Sequence, residues 1–147
     1  MSNIEKENRV NLQKWRDARP ALSSNYKTYF TNIIEELLEP MYVKEDVKYL
    51  TEEIVDRYYT DELAIADYEV VDAINDIRVF SENEIELMGY DSSETFSETI
   101  KEISSRKQDP IQAHNWNIDG SHGEKWLKDK SQDISTLYKA KYEKVGD

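Results

Sequence analysis

Carboxylate side chains recur three residues apart in two stretches of the sequence. Residues 35–39 read E-E-L-L-E and residues 69–72 read E-V-V-D, with Asp76 one turn further along. On a helix, residues i and i+3 lie on the same face, so each stretch can present a pair of carboxylates to one point. Hard divalent cations such as Mg²⁺ prefer oxygen ligands of this kind. The spacing indicates a metal site if both stretches are helical.

The apolar pattern predicts helices for both stretches. Residues 26–41 are apolar at i, i+3, i+4, i+7 and i+8, and Ser23, Ser24 and Asn25 are the candidate N-caps before them. A helix over about 61–88, either continuous or broken near Ser81, would end at Gly89 as its C′ residue. Three further helices are predicted at residues 3–18, 44–59 and about 94–105, the last capped by a residue among 91–93. The fold class is therefore all-α, a bundle of four to five helices.

The fourth of these helices carries apolar residues on every side, which is typical of a buried helix. Glu69, Asp72 and Asp76 fall within about 60° of one another on its helical wheel. A buried charge is costly unless it is paired or bound to a metal, and Arg78 is the only basic residue here. A metal is then the expected partner. The alternative is that these acids, and Glu36 and Glu39 on the second helix, lie on solvent-exposed faces.

Composition excludes several classes of function. The chain has 147 residues, no cysteine and a net charge of −12, so disulfides and thiolate metal sites are absent. An acidic surface repels phosphates, so no nucleic-acid polymer is expected as a partner. The N-terminus does not read as a signal peptide and no apolar run has the length of a membrane span. A cytoplasmic protein with no membrane partner is expected.

The helical pattern stops after Arg106. We therefore predict a helical catalytic domain at 1–106, followed by a tail at 107–147 that packs on this body or on a neighbouring subunit. A short helix is predicted near 134–143. Trp116, Trp126 and Tyr138 are interpreted as anchors of the tail, with stacking on a nucleotide base as the alternative.

At these motifs the chain resembles the MazG-like all-α nucleoside triphosphate pyrophosphohydrolases, over about residues 25–110. The resemblance rests on E-E-x-x-E at 35–39 and E-x-x-D at 69–72; the tail resembles those of short phage-encoded members. It implies the bundle typical of that superfamily, in which Glu36, Glu39, Glu69 and Asp72 bind Mg²⁺, with Mn²⁺ as an alternative ion. Glu35 and Glu36 would be catalytic, with Glu35 binding a second metal ion or orienting water.

The resemblance also implies a substrate and an assembly. The substrate would be a (deoxy)nucleoside triphosphate, cleaved to the monophosphate and pyrophosphate. Arg106 and Lys107 would contact its phosphates, in place of the family's usual Asn/Lys segment. Members of the family assemble, so a homodimer or homotetramer is expected. The main alternative is a non-catalytic acidic helical protein that mimics DNA or inhibits a nucleic-acid-binding enzyme, and a helical scaffold is a second.

Overall fold

The protein is all-α, with five helices and no strand in the part of the chain that the structure describes. This computed structural model describes residues 2–19, 22, 24–60, 65–106 and 137–146. The helices are α1 (Asn3–Asp17), α2 (Tyr26–Leu38), α3 (Lys44–Tyr58), α4 (Asp67–Leu87) and α5 (Ser92–Ser104). The predicted fold class is confirmed. Among the described residues, no helix is long and apolar enough to cross a membrane.

Side-chain caps fix where three of the helices begin. The Ser2 hydroxyl accepts from the Glu5 amide while the Glu5 carboxylate accepts from the Ser2 amide, which forms a capping box on α1. The Asn25 side chain accepts from the Thr28 amide at the start of α2. Asp91 does the same for the Glu94 amide at the start of α5. The caps predicted for α2 and α5 are confirmed.

Contacts along the chain divide it into two compact units. One contains α2 and α3, and the other contains α1, α4, α5 and the segment 137–146. In the first of these, α2 and α3 form a hairpin in which the Phe30 and Tyr59 rings lie 6.0 Å apart. The buried residues of α3 are Val47, Thr51 and Val55, a stripe with a spacing of four. This stripe is the side of α3 that supplies the core of the hairpin.

Helices α1 and α5 run in the same direction, and polar side chains join them at both ends. The Asn8 amide donates to the Ser93 carbonyl (2.9 Å) near their starts, and the Arg19 guanidinium donates to the Ile103 carbonyl (3.3 Å) near their ends. Ile100 lies between these two contacts in sequence and is only 2% exposed. The α1–α5 pair therefore has an apolar centre with a polar anchor at each end.

The turn from α4 to α5 depends on a glycine. Gly89 has φ of 94°. Its amide donates to the Glu86 carbonyl and the Tyr90 amide donates to the Ile85 carbonyl, the two bonds of a Schellman motif. The predicted C′ role of Gly89 is confirmed. Helix α4 is continuous through Ser81, so the break considered there is absent.

Residues 137–146 form an extended segment, the strap, that runs antiparallel to α5. The Tyr138 hydroxyl donates to the Glu98 carboxylate, the Tyr142 hydroxyl pairs with Thr99 at 2.8 Å, and the Val145 amide donates to the Gly89 carbonyl. The short helix predicted at 134–143 is wrong for its described part, 137–143. The sequence Y-K-A-K-Y-E-K also alternates at a period of two, and that alternation matches the extended strap.

Helix α4 departs most from expectation, because none of its residues is buried. Ile74 and Ile77 are each 37% exposed, while Tyr68 and Phe80 are exposed by more than 70%. The prediction of a buried helix is therefore wrong for this chain. An apolar residue pattern shows which faces would gain from burial, but it does not supply the neighbour that covers them.

Replacing Gly89 with Ala tests the turn. A residue with a Cβ pays roughly 1–2 kcal/mol in this region of φ, so G89A should lose about that much free energy of unfolding in urea titrations. G146A is the control: φ there is 82°, but Gly146 lies outside the five described helices, so its backbone can relax without disrupting a helix end and its loss should be smaller. Equal stability of G89A and the native protein would contradict the assignment.

The contact between Tyr138 and Glu98 predicts a pH dependence. The hydrogen bond from Tyr138, assisted by Lys101, holds the pKa of Glu98 below its ordinary 4.5. A lowered carboxyl pKa stabilises the fold above the ordinary value, and this contribution is lost as the pH falls through the folded value. Y138F should therefore melt at a lower temperature than the native protein at pH 7, and the gap should close below pH 4.5.

Y142F is the matched control for Y138F, because the Tyr142 hydroxyl pairs with the neutral Thr99. Its effect on the melting temperature should not change in the same acid window. A constant gap between Y138F and the native protein from neutral to acid pH would show that the charge of Glu98 does not hold the strap.

Candidate functional site

The acidic residues of α2 lie at its C-terminal end. Glu35 is half-buried, whereas Glu36 and Glu39 are exposed. Glu39 is the C-cap residue, its amide donating to the Glu35 carbonyl, and the last turn holds no basic residue. Each of the three residues has an interaction partner in the structure. The C-terminal end of a helix is its negative end, so a cation placed there would be stabilised both by the carboxylates and by the helix dipole.

The acidic residues of α4 form a row on its exposed surface. Glu69, Asp72 and Asp76 are all exposed, and their spacing of three and four places them along one side of the helix. Arg78, the only basic residue of α4, pairs with Glu82 at 3.2 Å. The exposure contradicts the idea that these carboxylates are held in an apolar interior. They are open to solvent, and also to a cation or a substrate.

The two predicted ligand pairs belong to different units. Glu36 and Glu39 lie in the unit of α2 and α3, and Glu69 and Asp72 lie in the unit of α4. In the described parts of the chain, no group of three or more His, Asp or Glu residues is gathered so that it could hold a metal ion. Each pair has the predicted helical spacing, and the joining of the pairs into one site stays a prediction.

The donor set fits Mg²⁺ in its chemistry. All four predicted ligands are carboxylates, the hard oxygen donors that Mg²⁺ and Mn²⁺ accept, and the sequence has no cysteine that would favour a softer ion. Glu36, Glu39 and Glu69 lie at exposed positions. Asp72 also lies on an exposed helical surface, so none of the four needs the fold to open before an ion reaches it.

Arg106, a predicted phosphate ligand, is already engaged. Its guanidinium donates to both Glu102 carboxylate oxygens, at 2.8 and 3.0 Å, and both side chains are less than a quarter exposed. A triphosphate would have to replace Glu102 as the partner of this guanidinium, so the predicted role requires an exchange of partners. Lys107, the other predicted phosphate contact, lies outside the described residues.

Arg19 is a buried charge that the sequence did not reveal. It is 5% exposed, its guanidinium lies 4.6 Å from the Trp15 ring centroid, and it donates to the Trp15 carbonyl. Burial, followed by the charge of Arg106, lowers its pKa to about 10. At neutral pH it therefore remains charged. Since its hydrogen bond to the Ile103 carbonyl closes α1 onto α5, the contacts assign it to folding rather than to a ligand site.

Comparison with protein-family models, curated proteins and solved structures finds no match. The all-α architecture, with five helices among the described residues, is therefore established without a family assignment.

Adding Mg²⁺ tests whether these carboxylates bind a cation. A ligand that binds only the folded state adds about 1.4 kcal/mol at a concentration tenfold above its Kd, so the melting temperature should rise with millimolar Mg²⁺. In the double variant with Glu69→Gln and Asp72→Asn this rise should shrink, while metal-free stability stays equal or improves because two like charges are gone.

E84Q is the matched control for that double variant, since Glu84 is also exposed and on α4 but lies off the predicted ligand row. Its Mg²⁺-dependent rise should equal that of the native protein. An equal rise in all three proteins would assign the effect to general screening of the acidic surface.

Proposed function

We propose that the protein is a Mg²⁺-dependent nucleoside triphosphate pyrophosphohydrolase that releases a monophosphate and pyrophosphate. The observation that supports it most is the placement of E-E-x-x-E and E-x-x-D on two helices, in this order and each with an i, i+3 carboxylate pair. Both pairs are exposed, as groups that receive a metal and a substrate must be.

The acidic end of α2 gives the proposal physical support. Glu35, Glu36 and Glu39 crowd the negative end of a helix whose last turn offers no basic side chain. A cation placed at this end would be stabilised both by the carboxylates and by the helix dipole. A divalent cation is the ligand that such oxygen donors select.

In the proposed mechanism, the protein supplies ligands and orientation rather than a nucleophile. Glu36, Glu39, Glu69 and Asp72 would hold Mg²⁺, which when bound neutralises charge that develops on the triphosphate oxygens. Glu35, half-buried on the same helix as Glu36, would orient a water molecule toward the α-phosphorus and accept its proton. The bond from the α-phosphorus to the bridging oxygen breaks and pyrophosphate leaves. Arg106 and Lys107 would hold the β- and γ-phosphates.

Exposed apolar residues at the end of α4 support the proposed assembly into a homodimer or homotetramer. Leu87 is 82% exposed and Met88, the C-cap residue, is 54% exposed, and side chains of this size are normally covered.

Neutral variants of the four ligands test the activity. E36Q, E39Q, E69Q and D72N keep the shape of each side chain but remove the charge that would hold Mg²⁺. Each should lower pyrophosphate release by at least ~10²-fold, the order of effect of one essential electrostatic contact. The measurement is pyrophosphate release with Mg²⁺ from a panel of canonical and modified nucleotides.

The controls for these variants are E45Q, in the first turn of α3, and E84Q on α4, both at exposed positions. Both should retain the activity of the native protein. Equal activity in all six variants would contradict the proposed site. A loss confined to E69Q and D72N would instead assign the acids of α2 to a solvent-exposed face.

A non-catalytic acidic protein is the second candidate, and the exposure of α4 favours it. This helix carries seven carboxylates and one arginine, a net charge of −6, and none of its residues is buried. Such a surface is complementary to the basic groove of a nucleic-acid-binding enzyme. This candidate predicts no pyrophosphate release from any nucleotide, and no Mg²⁺-dependent stabilisation that E69Q or D72N would reduce.

A further inference from the structure

An apolar cavity of about 340 Å³ opens between the end of α4, the start of α5 and the strap. All three segments belong to the same unit. The residues that line the cavity include Ile85, Met88, Phe96 and Tyr142. Met88, Phe96, Tyr142 and the nearby Val145 are between 46% and 64% exposed, and we call these four residues the α4–α5 patch.

Charges of opposite sign flank the patch on its two sides. The final turns of α4 carry the exposed Glu82, Glu84 and Glu86 and no basic residue. The strap carries three exposed lysines and one glutamate, a net charge of +2. Lys144 is close to the cavity, since its amine lies 5.9 Å from the ring of Tyr90, a lining residue. A surface with an acidic and a basic side is complementary to a second copy of itself turned by a two-fold rotation.

The size of the patch also suits a second copy. Four side chains at this exposure present on the order of 400 Å² of largely apolar surface. A standard interface buries about 800 Å² per partner, of which somewhat more than half is apolar. The patch therefore supplies about the apolar part of one half-interface, and the charged flanks supply its polar rim.

We propose that the α4–α5 patch is a homodimer interface, in which the acidic end of α4 in one copy faces the lysine-bearing strap of the other. The cavity takes apolar side chains of the second copy. Pairing of two copies along the rest of α4 is opposed by charge, because its first half carries Asp67, Glu69, Asp72 and Asp76 without a basic residue. The patch lies at the opposite end of that helix. The assembly needs neither metal nor nucleotide, so it is tested independently of the proposed hydrolysis.

Sedimentation of the purified full-length protein at micromolar concentration, without metal or nucleotide, should show a dimer. F96E and M88E each place a charge in the patch at a half-exposed position that tolerates it, and each should raise the dissociation constant at least tenfold. F80E is the control, because Phe80 is an exposed aromatic residue of α4 that does not line the cavity. This variant should leave the dimer intact. Circular dichroism checks that each variant retains its helices.

A second pair of variants tests the charged rim. Changing Lys139 and Lys141 of the strap to Glu should weaken the dimer, whereas changing Lys44 and Lys48 of α3 to Glu alters net charge equally and should not. A native protein that stays monomeric at these concentrations overturns the proposal. A dimer that persists in both F96E and M88E also overturns it. If F80E alone abolishes the dimer, the interface lies on another side of α4 and the proposal is overturned.

Discussion

The burial of Ile100 on α5 is the contact around which one unit of the protein is organised. Helix α1 packs parallel to α5, the Gly89 turn connects α4 to α5, and the strap runs antiparallel to α5. Few large apolar side chains are buried in this unit, so hydrogen bonds do much of the positioning of its elements. Asn8 and Arg19 donate to backbone carbonyls of α5, and Tyr138 donates to the Glu98 carboxylate on the same helix. Bonds of this kind position elements more sharply than they stabilise them, because each replaces a bond to water. A unit built this way is well defined but has a small core.

The excess of negative charge is the second constraint, and three arginines compensate it locally, each by pairing with a nearby glutamate. Arg57 and Arg78 each pair with a glutamate four residues away on the same helix, and Arg106, just beyond the end of α5, pairs with Glu102 on that helix. The exposed pairs of Arg57 and Arg78 contribute only a few tenths of a kcal/mol each. Within the described residues none of these arginines pairs with Glu69 or Asp72. The carboxylates of α4 thus repel one another across a solvent-exposed surface. Water screens this repulsion, and a bound cation or basic partner would reduce it much further.

The sequence predicted the helices well, because caps and periodicity are local signals. Asn25, Asp91 and Gly89 each fix a helix end within a few residues of chain, and the structure confirms all three. It did not predict the exposure of α4 or the extended strap, since both depend on what lies beside a segment. Tyr138 and Tyr142, four apart, fit a helix and an extended chain equally well. For the site, spacing predicts two carboxylate pairs, whereas their joining depends on packing that no local pattern encodes.

The exposed apolar residues and the exposed carboxylates of α4 interleave on one helix, and this limits what can cover it. An apolar partner would gain from Phe80 and Leu87 but would desolvate nearby acids, which is costly without compensating positive charge. A partner must therefore combine apolar surface with cations. The strap has that composition, alternating Tyr138, Ala140 and Tyr142 with lysines. A cation bound at Glu69 and Asp72 would meet the same requirement at the other end of α4. Metal binding and assembly can thus be served by separate ends of this helix.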